Sequence, residues 1–159
     1  GLDDVKSDPV NLTTVLRDVI ASRAPMSFDK GIDLELEISG PDPIVKGDSV
    51  LLSSAFSNII DNAVSMSARG QSVNVQIGSG PIVRIRDNGP GIAADHRERI
   101  FEPFAKFPPN RAGHGLGLAI VYAVVQLHGG DVRALVPTDD QPGTIFEVSF
   151  SADRSSDGA

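Results

Sequence analysis

Residues 48–67 read DSVLLSSAFSNIIDNAVSMS, and this stretch decides the fold prediction. Its apolar residues recur at helical spacing, which is typical of a helix with one buried face. Asp48 or Ser49 can cap its first turn, because both side chains accept hydrogen bonds from backbone N–H groups. We therefore expect a long helix that ends near Ser67. Its predicted core stripe consists of Leu52, Phe56, Ile59, Ala63 and Met66.

Three polar side chains, Asn58, Asn62 and Ser65, share one stripe of the same helix beside Leu51 and Ala55. An asparagine amide oxygen can bind Mg²⁺ without repelling a triphosphate, and its NH₂ group can donate to a phosphate. An asparagine pair taken alone is more often part of a solvated helix face. The neighbouring motifs therefore decide how this stripe is interpreted.

Elements on both sides of this helix complete a predicted α+β fold. Alternating apolar residues predict five strands, at 32–38, 73–77, 82–85, 132–136 and 145–150. Helical spacing begins at Val10, and this first helix is expected to end at Pro25. A short helix is expected at 94–100. An apolar helix is expected at 116–127 and should stop at Gly129-Gly130. This order predicts a two-layer α/β sandwich, in which helices cover one face of a mixed five-stranded sheet.

Length and composition favour one soluble domain. Within the 159 residues we place the domain at 10–150, a linker at 1–9 and a disordered tail at 151–159. The formal charge of −7 disfavours binding to nucleic acid, and the absence of cysteine excludes disulfides and thiolate metal sites. No apolar run is long enough to cross a bilayer. We expect a cytoplasmic, monomeric domain without membrane contact of its own; a membrane anchor elsewhere in a longer parent protein stays open.

A second motif, Asp87-Asn-Gly-Pro-Gly-Ile92, follows directly on a predicted strand. An ionised aspartate only accepts hydrogen bonds, so Asp87 can bind the amino group of adenine and would reject the oxygen of guanine. Gly89 and Gly91 would let the backbone approach a flat base closely. Taken alone, Asn-Gly after a strand is more often a hairpin turn.

A third motif, Gly113-His-Gly-Leu-Gly-Leu118, opens the last predicted helix. Backbone N–H groups at a helix start form an anion site, which suits a polyphosphate. Before it lie Phe101-Glu-Pro-Phe104 and the basic residues Lys106 and Arg111, on a loop that could close over a nucleotide. We expect the two phenylalanines to anchor the base of this loop and the basic residues to reach the phosphates. Each feature alone has a simpler interpretation, as a flexible loop or as solvated charge.

Taken in order, these motifs resemble the four boxes of histidine kinase catalytic domains. Residues 58–63 are similar to the asparagine box, 87–92 and 113–118 to the two glycine boxes, and 101–104 to the phenylalanine box. Gly143-Thr-Ile-Phe146 at the last strand also resembles the family. Four boxes in family order make coincidence implausible. The resemblance spans about residues 10–150 and implies the Bergerat-type ATP-binding fold of the GHKL superfamily.

The resemblance implies ATP and Mg²⁺ as cofactors. Asn62 would bind Mg²⁺ with the help of Asn58, Asp87 would hold adenine with Thr144 joined to it through water, and the backbone from Gly113 to Gly117 would hold phosphates. The implied catalytic residues are Asn58, Asn62, Lys106 and Arg111. The implied nucleotide contacts are Asn58, Asn62, Ser65, Met66, Asp87, Gly89, Gly91, Ile92, Phe104, Lys106, Arg111, Gly113, His114, Gly115, Leu116, Gly117 and Thr144.

This chain departs from the family pattern in two places. Ser65 stands where the family usually has Lys, His or Arg near the phosphates, and Met66 stands where an aromatic residue is common. The loop at residues 105–112 is also short. We therefore expect weakened phosphate affinity, with Lys106 or Arg111 as the residues that could supply the missing charge.

In the family, the phosphate acceptor is a histidine on a separate dimeric helical hairpin, and a response regulator acts downstream. Of the three histidines, we expect His128 to be structural, His96 to lie at the surface, and His114 alone to approach phosphate. Two other functions stay open: a GHKL ATPase or serine kinase, or a nucleotide-binding pseudokinase module. Related ATPases place a catalytic glutamate where this chain has Asn58, which argues against intrinsic hydrolysis.

Overall fold

The computed structural model describes residues 5–106 and 115–151, which form seven strands and three α-helices. The helices are α1 (Leu12–Asp29), α2 (Ser49–Met66) and α3 (Gly117–Leu127). The strands are β1 (Asp8–Asn11), β2 (Asp33–Ile38), β3 (Ile44–Gly47), β4 (Ser72–Ile77), β5 (Ile82–Arg86), β6 (Asp131–Leu135) and β7 (Ile145–Ser149).

The main sheet has five strands in the order β2-β4-β5-β7-β6. β2 and β4 are parallel, whereas the other three pairings are antiparallel. Helix α2 packs on α1 and α3, and the helical layer contacts the sheet on one face. The predicted α+β fold, a two-layer sandwich with a mixed five-stranded sheet, is confirmed.

The core lies between the helices and the inner face of the sheet. Phe56 and Ile59 on α2 are fully buried, as are Ile85 on β5 and Phe146 on β7. Burial of such side chains contributes about 1.5–3 kcal/mol each. The predicted core stripe of α2 is buried except for Met66. Met66 is half-buried because it lines a small cavity, which is described below.

Helix α2 begins and ends as the sequence predicts. The Asp48 carboxylate caps it by accepting hydrogen bonds from the N–H groups of Val50 and Leu51 at 2.9 and 3.2 Å. The bond from Leu51 is the main reason why the pKa of Asp48 lies below its ordinary value. The imidazole of His128 accepts the Asp48 N–H through Nε2 at 3.1 Å, and its Nδ1 lies 2.7 Å from the Val124 carbonyl oxygen. His128 thus joins the start of α2 to the end of α3, which confirms its structural role.

A second, two-stranded sheet is missing from the prediction. β1 pairs antiparallel with β3, so Val10 lies in a strand and not in the first helix, and the first strand begins two residues before the expected domain boundary. Asn11 caps α1 by accepting the Thr14 N–H at 3.1 Å. Such short strands carry little periodicity, and their partners lie more than thirty residues apart.

The prediction that Pro25 ends the first helix is wrong, because α1 continues to Asp29. Proline removes one helical hydrogen bond and costs about 3 kcal/mol in a helix interior. The last turn is held by contacts outside the helix: the buried Ser27 hydroxyl donates to the Ile32 carbonyl at 2.6 Å, and Met26 packs on the core. Packing therefore overrides local propensity here.

Two smaller predictions are also refined. The short helix expected at 94–100 is a pair of 3₁₀ turns, Ala94–His96 and Arg99–Phe101. Helix α3 stops at Gly129 as expected, where a φ of +70° suits glycine and the Gly130 N–H bonds the Val125 carbonyl. Across residues 5–106 and 115–151, no helix is both long and apolar enough to cross a membrane.

Candidate functional site

Asp87 lies at the end of β5 and is 2% exposed. Its Oδ1 atom accepts hydrogen bonds from the N–H groups of Gly89, at 2.9 Å, and Thr144, at 3.3 Å. Its own N–H donates to the Thr144 carbonyl at 3.0 Å. Thr144 therefore contacts Asp87 directly through its backbone, and the water-mediated link that the resemblance implies stays a prediction.

Two glycines permit the tight packing around Asp87. A Cβ atom at Gly89 would overlap the Met66 carbonyl oxygen, and one at Gly143 would overlap the Asp87 carbonyl oxygen. Gly143 also has a φ of +139°, a conformation that other residues rarely adopt. Gly91, at φ +84° in the loop after β5, lies close to Gly143 in the loop before β7. The sequence analysis singled out Gly89 and Gly91, whereas the close contact made by Gly143 appears only in the fold.

A small cavity brings together residues predicted to contact adenine and residues predicted to contact the metal and phosphates. Its predicted members are Asn62, Met66, Asp87, Ile92 and Thr144. The lining is completed by Ile100, Ala105 and Leu118. The sequence analysis did not identify them as site residues, because apolar residues near glycine motifs look like ordinary core residues. The cavity volume is about 20 Å³, enough for one water molecule and too small for a purine.

Asn58 and Asn62 lie on the α2 face that adjoins the start of α3. The Asn58 amide donates to the Gly117 carbonyl at 3.3 Å, and only Asn62 of the two lines the cavity. Leu116 precedes the first residue of α3 and caps it without a side-chain hydrogen bond. N–H groups at a helix start have no intrahelical partners, so this end of α3 can bind an anion.

Ser65 lies one turn further along α2 and is exposed. Its hydroxyl donates to the Asn62 carbonyl at 2.8 Å, a bond back onto its own helix. The residue that stands in place of the family's cation is thus beside Asn62, and it carries no charge.

The phenylalanine motif divides into an anchored and an exposed half. The Phe101 ring packs edge-on against Phe146 at a centroid distance of 6.1 Å, as expected for an anchor. Phe104 is 71% exposed and does not line the cavity, so its expected anchoring role is wrong. Its backbone, at φ +65°, is held by the Gly115 carbonyl at 2.8 Å, and this directs the ring outward.

Among the predicted basic residues, Lys106 is half-buried next to Ala105 of the cavity wall. Arg111, Gly113 and His114 lie outside the described residues, whereas Gly115, Leu116 and Gly117 are described and half-buried. In the described part of the chain, no three His, Cys, Asp or Glu side chains cluster to hold a metal ion. An amide ligand set such as Asn62 with phosphate oxygens suits Mg²⁺ without such a cluster.

Comparisons with known proteins point in one direction. A family model described as "Histidine kinase-, DNA gyrase B-, and HSP90-like ATPase" matches residues 47–154. The swarming motility regulation sensor protein RssA of Serratia marcescens is 32% identical over 153 residues, which cover 92% of this chain and 32% of RssA. The chain thus spans about a third of the length of this curated relative.

Solved structures share both fold and sequence with the chain. The mycobacterial sensor histidine kinase MprB is 33% identical, with a TM-score of 0.80 over 92% of this chain and 97% of that one. Full-length ShkA in complex with AMPPNP is 30% identical, with a TM-score of 0.73 over 94% of this chain and 32% of ShkA. With the cavity between Asp87 and Asn62, these matches establish that the chain belongs to the histidine kinase-, DNA gyrase B- and HSP90-like ATPase family, as an ATP-binding catalytic domain of the sensor histidine kinase type.

Proposed function

We propose that this domain transfers the γ-phosphoryl group of Mg²⁺-bound ATP to a histidine on a helical hairpin domain of its parent kinase, and that a response regulator accepts the phosphoryl group downstream. The observation that carries the proposal is that one cavity brings together the buried Asp87 carboxylate and the Asn62 amide. These are the two chemical groups that adenine and the phosphate-bound metal would each require. The AMPPNP in the ShkA structure supports the same use of the fold.

The base end would recognise adenine through Asp87. The two N–H bonds to Oδ1 orient the carboxylate, so that it can accept the adenine amino group without reorganising. Gly89 lets the backbone pass next to Met66, and Met66 and Ile92 offer apolar contact to the ring. Binding requires the wall formed by Ile100 and Ala105 to move outward, because the cavity of about 20 Å³ is smaller than the base.

The phosphate end would rest on α2 and α3. The Asn62 amide oxygen would hold Mg²⁺, which supplies charge neutralisation for the phosphates when bound. The N–H groups at the start of α3 would hold phosphate oxygens, and Asn58 would fix this helix end through its bond to Gly117. Lys106 and Arg111 would add the positive charge that Ser65 lacks.

Phosphoryl transfer needs alignment and charge stabilisation more than covalent help from the protein. The acceptor histidine would come from the hairpin domain, so its nucleophilic nitrogen is not part of this site. Asn58 cannot activate water as a carboxylate could, because an amide is not a base at neutral pH. This favours transfer to a protein acceptor over the hydrolysis expected of an ATPase.

Two measurements test the proposal. ATP should bind the domain more tightly with Mg²⁺ than with EDTA, as measured by calorimetry. Supplying the hairpin domain of the parent kinase in trans should then yield acid-labile, alkali-stable phosphate on histidine. Rapid release of inorganic phosphate without the hairpin would instead favour an ATPase, and ATP binding without any transfer would favour a pseudokinase module.

A further inference from the structure

A bidentate ion pair joins the end of β5 to the loop between β6 and β7. Arg86 donates from both terminal nitrogens to the two carboxylate oxygens of Asp139, at 2.7 and 2.9 Å. Asp139 also accepts the Gln141 N–H at 3.1 Å. The bond from Arg86 is the main reason why the pKa of Asp139 falls to about 2, so the pair is ionised at neutral pH. Paired parallel bonds of this kind fix an orientation as well as a distance.

This pair lies one residue away from the proposed adenine ligand. Arg86 holds Asp139 through its side chain, and the next residue, Asp87, bonds Thr144 through its backbone N–H and its carboxylate. Two consecutive residues of one strand end therefore hold both ends of the 139–144 segment. A shift of Asp139 would be transmitted over only five residues to Thr144.

The contact at the far end of this segment is sensitive to such a shift. The bond from the Thr144 N–H to Asp87 Oδ1 is 3.3 Å long, beyond the usual range for N–H donors. A small outward movement of the loop would break it, and the Asp87 carboxylate would keep only the Gly89 N–H of the two described donors. The carboxylate would thus lose one of the described bonds that orient it toward adenine.

We propose that Arg86 and Asp139 are positioning residues for base recognition, which hold the β6–β7 loop so that Thr144 orients Asp87 toward adenine. The inference rests on the proposed role of Asp87 as the adenine ligand. It predicts an effect on the base and none on the polyphosphate, because the hydrogen bonds described for the pair all lie between the end of β5 and the loop at the base end.

Arg84 provides a matched control on the same strand. It also forms an ion pair, with Glu147 at 2.8 Å, but Glu147 lies in β7 and is held by Arg133 as well. Arg84→Gln and Arg86→Gln therefore remove the same charge and one ion pair each, two residues apart. Only the second change removes a side-chain contact to the loop that leads to Thr144.

The test measures binding of ATP, GTP and inorganic tripolyphosphate to the wild type and to the Arg86→Gln, Asp139→Asn and Arg84→Gln variants. Arg86→Gln and Asp139→Asn should each weaken ATP binding about five- to tenfold and narrow the preference for ATP over GTP, while tripolyphosphate affinity stays within about twofold. The double variant should lose no more ATP affinity than either single one, since both changes remove one pair. Arg84→Gln should bind all three ligands as the wild type does.

Unchanged ATP affinity in Arg86→Gln would overturn the inference. Equal losses of affinity for ATP and tripolyphosphate, together with a lowered melting temperature, would also overturn it, because the pair would then only stabilise the fold. The reciprocal variant Arg86→Asp with Asp139→Arg, if folded, should regain part of the ATP preference. ATP affinity that is unchanged in Asp87→Asn would exclude Asp87 as the adenine ligand, the part of the proposed function on which this inference rests. Sensitivity to Asp87→Asn together with indifference to Arg86→Gln would overturn this inference alone.

Discussion

The two ends of the cavity are built in different ways. At the base end, Asp87 is 2% exposed, and its described hydrogen bonds join it to backbone groups of Thr144, next to β7, and of its own turn. At the phosphate end, Asn62 is half-buried, and Ser65, a neutral side chain, is exposed at the position where the resemblance implies a cation. Under the proposed function, this difference means that recognition of the base would be built into the sheet, whereas phosphate affinity would depend on side chains at a helix surface.

The largest expected effect comes from breaking the packing of the base end. Gly143→Ala should lower the free energy of unfolding by about 3 kcal/mol, because a Cβ atom would meet the Asp87 carbonyl oxygen at a φ of +139°. Gly80→Ala, at φ +94° with no atom within 4 Å, should cost only about 1 kcal/mol. Urea unfolding measures both, and equal losses would show that the close approach at Gly143 is unimportant.

The next effect concerns the ligand of the base itself. Asp87→Asn should weaken ATP binding about 10- to 100-fold, because an amide nitrogen would face the adenine amino group and a charged acceptor would be lost. The amide oxygen can still accept the Gly89 and Thr144 N–H groups, which Asp87→Ala would leave unpaired and buried. Calorimetry with ATP is the measurement, and exposed Asp131→Asn is the control. Wild-type affinity in Asp87→Asn would exclude Asp87 as the adenine ligand.

At the phosphate end, Asn62→Ala should remove the dependence of ATP binding on Mg²⁺. The wild type is expected to bind ATP about tenfold more tightly with Mg²⁺ than with EDTA, a difference of about 1.4 kcal/mol. Asn74→Ala is a suitable control, because that amide lies on the outer face of the sheet and donates to Glu37 at 3.1 Å. A retained metal effect in Asn62→Ala would place Mg²⁺ elsewhere.

A gain of function would sharpen the contrast between the two ends. Ser65→Lys should increase ATP affinity about two- to fivefold at low salt, because an ammonium group would be added beside the proposed phosphate site at the helix surface. The affinity for adenosine, which lacks phosphates, should not change. The gain should disappear at 1 M salt, where the Debye length is about 3 Å; a gain that persists would point to a cause other than charge.

The smallest effect is expected on the outer face of the sheet, behind the base end. Arg133 donates to Glu147 at 2.6 Å, and this bond is the first cause of the lowered pKa of Glu147. A carboxyl group whose pKa is lowered on folding stabilises the protein above its ordinary pKa, and that contribution is lost as the pH falls through the lowered value. The wild type should therefore lose stability as the pH falls below 4.5, the ordinary pKa of a glutamate, and Glu147→Gln should lose less. The difference between the two proteins should total under about 1 kcal/mol. Chemical denaturation between pH 6 and about pH 3 checks the slope.

Much of the fold follows from patterns that lie within one segment. The spacing of Leu52, Phe56 and Ile59 predicts α2, and the Asp48 cap and the Gly129 stop mark helix ends that the structure confirms. Pro25 shows the limit, because the helix continues through it on contacts made by Ser27 and Met26 with residues outside the helix. The β1–β3 pair was missed for the same reason, because each short strand is stabilised by pairing with the other and carries little pattern of its own.

The sequence by itself determined the fold class and the chemical groups of the site: Asp87 after a strand, Asn58 and Asn62 on one helix face, and glycines where a ligand would approach. Only the tertiary structure decided that Thr144 bonds Asp87 with Gly143 packed closely against it, that Phe104 turns outward, and that Arg86 reaches Asp139 across 53 positions of the chain. Periodicity and capping are encoded within a few residues, so they can be found in the sequence. Contacts between distant loops exist only after the sheet has brought its strand ends together.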